Sequence, residues 1–416
     1  GVKSGLSDDK SIERRKTMKI LVINCGSSSL KYQLYNMDNN EVLAKGLVER
    51  IGIDGSNLQH KPAGKAKDKY VFEQPLKNHS EAIKLVMDKL VDPECGVIAD
   101  LSEINGVGHR VLHGSKFFTE SCVVTEEVKK VVTECADLGP LHNPANLMGI
   151  EACEELMPGV KNVAVFDTAF HQTMPPKAYM YPLPYEYYEK YNVRRYGFHG
   201  TSHRYVSKRA IEMLGNPEHS RVITCHLGNG SSIAAVKDGK CIDTSMGLTP
   251  LAGFEMGTRC GDIDPAIVPY LMKKENLTPD EIDTIMNKKS GLLGVTGISS
   301  DYRDAEAAMN EGNERAKLGI DMFRYQIAKY IGSYVVALGG CDAIVFTAGI
   351  GENNGGHRAA ICEYLECLGV KIDPEKNKLR GDDIDFTGEG STIKTFIIPT
   401  DEELMIAQDT MELLSK

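Results

Sequence analysis

A β-rich run, a tight turn of glycine and serine, and a second β-rich run occur twice in this chain, about 200 residues apart. The first copy is Ile20-Leu21-Val22-Ile23-Asn24-Cys25-Gly26-Ser27-Ser28-Ser29-Leu30-Lys31-Tyr32. The second runs from Val222 through Cys225-His226-Leu227-Gly228-Asn229-Gly230-Ser231-Ser232 to Val236. Small residues at such turns let backbone N–H groups approach an anion, and serine hydroxyls add hydrogen bonds to phosphate oxygens. Either copy alone reads as an ordinary hairpin turn. The pair, each behind a buried-strand pattern, points to two related domains closing on a nucleotide.

The intervening patterns alternate. Strand signals at 19–24, 29–36 and 42–48 precede helical patterns over 80–90, 126–135 and 145–157, and 162–167 reads as a buried strand ending in the carboxylate of Asp167. A Pro- and Tyr-rich connection, 174–191, separates the halves. Strands at 220–226, 231–237 and 240–243 follow, the last two joined by the hairpin signal Asp238-Gly239. Residues 314–338 form an amphipathic helix with Ile320, Phe323, Ile327, Ile331, Tyr334 and Leu338 on one face, read as core or as a dimer seam. A buried strand at 342–347 runs into Ala348-Gly349-Ile350-Gly351-Glu352-Asn353, and a strand at 395–398 leads into a C-terminal helix. At 416 residues, this α/β order implies two or three domains.

Composition excludes several classes of function. With a net charge of −10 and no long Lys/Arg block, nucleic acid is not an expected partner. No run of about 18 apolar residues is present to span a membrane. The 11 cysteines contain no CxxC pair, and Cys25, Cys225 and Cys341 lie inside apolar strand patterns, as buried thiols of a reducing cytoplasm do. His109 and His113 are spaced i, i+4 but lack the glutamate of a zinc-protease motif. Residues 1–17 precede Met18 and read as a tag remnant or disordered extension. Gly349 and Gly351 suggest a dinucleotide fingerprint, but the third glycine falls at 355 rather than 354, which argues against an NAD-dependent oxidoreductase.

Phosphoryl transfer needs positive charge and hydrogen-bond donors around the moving group, with carboxylates to hold a metal. Arg110, in His109-Arg110-Val111-Leu112-His113-Gly114, and Arg259, in Gly257-Thr258-Arg259-Cys260-Gly261-Asp262, sit in glycine-bearing turns where a guanidinium fork suits carboxylate or phosphate. His199 precedes a helix opened by Thr201 and Ser202, where it reads as an anion donor or a capping residue. Asp167 ends a strand, and Glu402 lies in the first turn of the last helix, where dipole compensation alone accounts for it.

Together these segments resemble the acetate kinase family, within the acetate and sugar kinase, Hsp70 and actin superfamily. The resemblance covers 18–416 and is carried by six blocks, Asn24 to Lys31, Gly197 to Ser202, His226 to Gly230, Asp243 to Gly247, Gly257 to Asp262 and Phe346 to Asn353. It implies a two-domain actin-like ATPase with a duplicated, ribonuclease H-like βββαβαβα core: 18–170 plus 404–416 as domain I, 171–403 as the nucleotide-binding domain II, and a cleft between them. It implies reversible, Mg2+-dependent transfer of the ATP γ-phosphate to acetate, with Mn2+ as a substitute metal, in a cytoplasmic homodimer. Asn24, Arg110, His142, Asp167, His199 and Arg259 would line the reacting centre, with Asn24, Asp167 and Glu402 organising the metal. Leu112, Leu141, Phe198 and Pro250 would enclose the acyl methyl, Leu112 standing where some members carry valine. Ser27, Ser29, Lys31, His226, Leu227, Gly228, Asn229, Gly230, Asp301, Tyr302, Arg303, Gly349, Ile350, Gly351 and Asn353 would receive ATP. Propionate or butyrate kinases of the same family, and a non-catalytic Hsp70- or actin-like switch, are the alternatives. Replacing either arginine by alanine is expected to cost turnover far more than stability.

Overall fold

The computed structural model describes residues 17–416; the extension expected at 1–17 falls, apart from Thr17, outside them. Two mixed sheets organise the molecule. The first contains β1 (Lys19–Cys25), β2 (Leu30–Asn36), β3 (Glu41–Glu49), β4 (Asn57–Pro62), β5 (Tyr70–Glu73), β6 (Gly106–Val111), β7 (Cys122–Val123) and β8 (Lys161–Phe166), in the order β5-β4-β3-β2-β1-β6-β8-β7. The second contains β9 (Arg221–Leu227), β10 (Ser231–Lys237), β11 (Lys240–Thr244), β12 (Ala343–Thr347), β13 (Ile384–Asp385) and β14 (Lys394–Ile397), in the order β11-β10-β9-β12-β14-β13.

The duplication inferred from the two hairpins extends through both sheets. In each, a meander of three antiparallel strands includes the first strand, which runs parallel to two later ones: β3-β2-β1-β6-β8 matches β11-β10-β9-β12-β14. This is the expected actin-like α/β architecture.

Both sheets are covered on both faces, which is why their first strands are apolar without interruption. In β1, Leu21 and Ile23 pack against the helices His79–Leu90 and Asn143–Leu156, while Ile20 and Val22 pack against the C-terminal helix Glu402–Leu414. In the second sheet, Ile223, Cys225, Ile344 and Phe346 meet the helix Glu314–Leu338, and Val222, Ala343 and Val345 meet the helix Gly200–Met213. The expected face of Glu314–Leu338 is core: Ile320, Phe323, Ile327 and Ile331 are fully buried, and each such side chain contributes roughly 1.5–3 kcal/mol over its exposed state. The helices Gly200–Met213 and Glu402–Leu414 touch each other, and Arg204 pairs with Asp409 between them.

Asp238 and Gly239 both take positive φ, +50° and +78°, as a two-residue hairpin turn requires. The connection 174–191 is not free of helix, since Pro176–Tyr179 and Tyr185–Tyr191 are short helical turns. Residues Ala348–Asn353 are likewise a single helical stretch rather than an open glycine loop. All 11 cysteines are free, and Cys367 is exposed rather than buried. No described helix is long and apolar enough to cross a membrane.

Candidate active site

Three parallel strands bring the first set of polar groups to one edge. Asn24 lies at the end of β1, Arg110 is the penultimate residue of β6, and Asp167 follows β8, its N–H bonded to the Val111 carbonyl at 3.0 Å. Arg110 forks onto Asp167, donating from Nε to Oδ1 and Oδ2 at 3.2 and 3.1 Å and from Nη2 to Oδ2 at 2.6 Å, while Nη1 reaches Asn24 Oδ1 at 3.5 Å. Asp167 is only 1% exposed. Burial opposes the Arg110 charge, but Asp167, with Glu402 and Glu403 behind it, more than restores it. Glu402, the first residue of the C-terminal helix, is pushed up to about 7 by burial and then by Asp167, with Arg110 and Lys31 pulling the other way.

The second half supplies the opposite wall. His199 stands at the start of the helix Gly200–Met213 with a left-handed backbone, φ +56°. Gly200 permits this entry: its N–H donates to the Asp167 carbonyl at 3.0 Å, and a Cβ there would collide with the same oxygen. The His199 ring stacks on His226 with centroids 4.0 Å apart. A methyl built on Gly230, in the turn between β9 and β10, would lie 3.3 Å from Arg259 Nη1 and 3.5 Å from His199 Nε2, so these three groups face one small space. Burial, then His226, His203, Arg110 and Arg259, hold His199 well below the ordinary histidine range. His142 is lowered by burial and then by the charges of Arg110, and by Arg259 as well. Both guanidinium groups thus lie near enough to act on both histidines.

The two arginines differ in their company. Arg259 has no carboxylate partner among the described residues; its Nη1 donates to the Pro250 carbonyl at 3.2 Å and lies 3.7 Å from Met256 Sδ. Burial lowers its pKa. The equivalence of the two arginines assumed from sequence therefore fails for stability, because only Arg110 neutralises a buried carboxylate.

The remaining predicted residues divide by exposure. Ser27, Lys31, Asn229, Gly349 and Asn353 are exposed, Ser29, Gly228, Gly230 and Ile350 are half-buried, and Gly351 is buried. Leu227 and Tyr302 are buried in the core of the second sheet, and the Tyr302 hydroxyl donates to Glu255 Oε2 at 2.8 Å, which leaves those two only their backbones to offer a ligand. Asp301 caps the helix Tyr302–Asn310 and pairs with the exposed Arg303 at 2.7 Å. Leu112 and Phe198 form a buried cluster with Met246 and Met256. Leu141 does not join it: placed in the turn ahead of the helix Asn143–Leu156, its side chain is 56% exposed.

A divalent cation fits the first wall. Two carboxylates and an amide oxygen are hard ligands, and Glu402, raised first by burial and then by Asp167, is a carboxyl whose charged form a cation would favour. A Mg2+-like cation at a kinase site is ordinarily held by one or two carboxylates plus substrate phosphates. His109 and His113 are buried structural groups, bonded to Asn162 and to the Leu248 carbonyl.

Residues 19–408 match the model of the Acetokinase family. The chain belongs to that family. It is 58% identical to acetate kinase 2 of Clostridium perfringens and 59% identical to an acetate kinase of Clostridium botulinum, in each case over 96% of this chain and 100% of the relative. Among solved structures, acetate kinase of Porphyromonas gingivalis superposes with a TM-score of 0.91 at 48% identity, and a propionate kinase of Francisella tularensis with 0.89 at 42%, each covering 95% of this chain and 100% of the other. As an acetokinase family member, the chain is a phosphotransferase with a carboxyl group as acceptor and ATP as co-substrate, working with a divalent metal. The oxidoreductase and non-catalytic switch readings fall with this assignment.

Several site residues escaped the sequence reading. Met246 stands inside the block Asp243 to Gly247 and Met256 immediately ahead of the block Gly257 to Asp262, where only their neighbours drew attention. Ser232 and His203 contact His199 directly or through one atom, and the i, i+4 spacing of His199 and His203 at a helix start was the available signal. Glu255, 2% exposed, gave none: a lone acid in a glycine-rich loop ordinarily faces water.

Proposed function

We propose that this chain catalyses reversible transfer of the ATP γ-phosphoryl group to acetate, giving acetyl phosphate and ADP. The observation that carries the reading is the convergence of Arg110, Arg259 and His199 beside Asp167 and Glu402. Acetate resembles a glutamate side chain, with a pKa of about 4.3, and is an anion at neutral pH, so no general base is required. The difficulty is the approach of two anions, and preorganised positive charge in a dry cleft is what reduces it. Arg259, without a carboxylate of its own, is free to bind the acceptor or the moving group. Arg110 is held in place by Asp167, and neutral His199 offers a ring N–H to the charge that spreads over the phosphoryl oxygens.

Mg2+, with Mn2+ as a substitute, would be held by Asp167 and Glu402 with Asn24, and when bound would neutralise charge on the phosphates. The β1–β2 turn, through Ser27, Ser29 and Lys31, and the β9–β10 turn, through His226 to Gly230, cradle the phosphates. Asp301, Arg303 and the stretch Gly349 to Asn353 lie toward the nucleoside. The cluster of Leu112, Phe198, Met246 and Met256 forms the apolar end of the acceptor site. Propionate is a second acceptor, favoured by the likeness to a propionate kinase; one methylene discriminates by only about 1–3 kcal/mol.

The chain divides into 18–170 plus 404–416 and 171–403, supported by the packing of the C-terminal helix on the first sheet. It works as a homodimer in the cytoplasm. Leu318, Tyr325 and Val336, 52%, 49% and 82% exposed, align on the outer face of the helix Glu314–Leu338, opposite its core face, and support a seam there. Free cysteines throughout suit a reducing compartment.

Trapping acyl phosphate with hydroxylamine during ATP turnover tests the reaction, with acetate, propionate and butyrate compared. The hydroxamate should form with acetate, less with propionate and least with butyrate. No product from any of the three would remove the assignment.

A further inference from the structure

We propose that Thr224, His203 and Ser232 form a one-way hydrogen-bond relay that locks His199 in its Nε2–H tautomer, making them positioning residues for the phosphoryl donor contact. The inference rests on the proposed role of His199. Thr224 Oγ1 lies 2.7 Å from His203 Nδ1, His203 Nε2 lies 2.7 Å from Ser232 Oγ, and Ser232 Oγ lies 2.8 Å from His199 Nδ1. Thr224, His203 and Ser232 are all 0% exposed. His199 Nε2 is the ring atom that faces the space shared with Arg259 and Gly230.

A neutral imidazole carries one N–H, and each hydroxyl carries one proton, so the relay has only two self-consistent directions. In the first, Thr224 donates to His203 Nδ1, His203 Nε2–H donates to Ser232, and Ser232 donates to His199 Nδ1. His199 must then hold its proton on Nε2 and point it into the cleft. In the reverse direction His199 donates from Nδ1, and a bare lone pair faces the incoming phosphate. That direction also ends on Thr224 with a hydroxyl proton that has no second acceptor among the described residues. A buried donor left without a partner costs more than an unused oxygen lone pair. Both the terminal hydroxyl and the anionic substrate therefore select the first direction. Burial, then His171 and His226, hold His203 well below the ordinary histidine range, which keeps it in the neutral form that the relay requires.

The Ser202 side chain makes a separate link, to His226 Nδ1 and to Thr400 Oγ1, each at 2.8 Å, and does not touch this relay. The stacked pair His199 and His226 thus draws its ring orientation from two independent hydroxyls, and only the one from Ser232 determines the His199 tautomer.

Long-range 1H–15N spectra of the 15N-histidine-labelled protein near neutral pH read the tautomer directly, with His199 assigned by the resonances lost in His199→Asn. Wild type should show Nε2–H. Ser232→Ala and Thr224→Val should convert that signal to a tautomer mixture, and Thr224→Ser should restore it. In ATP and acetate turnover, Ser232→Ala and Thr224→Val should lower kcat by about 10- to 100-fold, with both KM values within about threefold of wild type, and Thr224→Ser should recover kcat. An Nδ1–H signal in wild type, or an unchanged His199 spectrum in Ser232→Ala, overturns the relay whatever the activity. Equal losses in Thr224→Val and Thr224→Ser would also overturn it, since they would mark a packing requirement. Absence of acyl phosphate from wild type would remove the kinase reading and leave the tautomer result standing.

Discussion

Arg110 and Arg259 bear the same charge in one cleft and depend on it differently. Arg110 forks onto Asp167, a carboxylate 1% exposed, whereas Arg259 is buried with only a carbonyl and a thioether for company. Removing one partner of a buried pair strands the other, at about 3–5 kcal/mol. Arg110→Ala should therefore lose that much unfolding free energy in a urea titration, while Arg259→Ala should keep or slightly exceed wild-type stability. Glu255 gives a second residue-scale expectation. Burial raises its pKa from 4.5 to about 8, with the Tyr302 hydroxyl only partly opposing. Between those values the folded state holds a proton that the unfolded state has released, so this share of stability is full below pH 4.5 and declines as pH rises, by up to about 1.4 kcal/mol per unit. Glu255→Gln should flatten that slope, measured as unfolding free energy at a series of pH values.

At the scale of elements, two turns and two helix starts make the cleft. Gly349 faces open space, and a Cβ added there would meet no atom within 4 Å; as alanine it would favour the short helix Ala348–Asn353 by roughly 0.5–1 kcal/mol. Gly349→Ala should hold its melting temperature and raise KM for ATP, because under the proposed function the added methyl would occupy the nucleotide's approach. Gly230→Ala should likewise stay folded but lose kcat, its methyl lying between Arg259 Nη1 and His199 Nε2. The elements that build this cleft were readable where apolar runs met glycine or a capping residue, as at β1, β9, β12 and the helix Glu314–Leu338. β4 was not readable: Leu58, His60 and Pro62 are its buried positions, and a histidine and a proline disguise the alternation. The helix Pro279–Lys288 was missed although Thr278 and Glu281 form a capping box, because the only buried residue behind that signal is Ile282. Residue types and spacing announced the two arginines, but their different partners depend on β6 lying beside β8, which no local pattern encodes.

At the scale of the molecule, one topology used twice sets two polar edges face to face. The first edge carries Asn24, Arg110, Asp167 and Glu402; the second carries His199, His226, Gly230 and Arg259. Neither edge alone holds both guanidinium groups, so closing two anions against each other is a property of the assembled pair of sheets. In the proposed reaction, unneutralised positive charge from the second edge, carried by Arg259, lowers the barrier to that encounter. Initial rates of acyl phosphate formation from ATP and acetate, taken on Arg259→Ala and wild type under identical conditions with unfolding measured on the same samples, test it directly. In Arg259→Ala, kcat should fall by about 10²- to 10³-fold while the variant remains as stable as wild type; a folded variant that turns over within about threefold of wild type would exclude this role for Arg259.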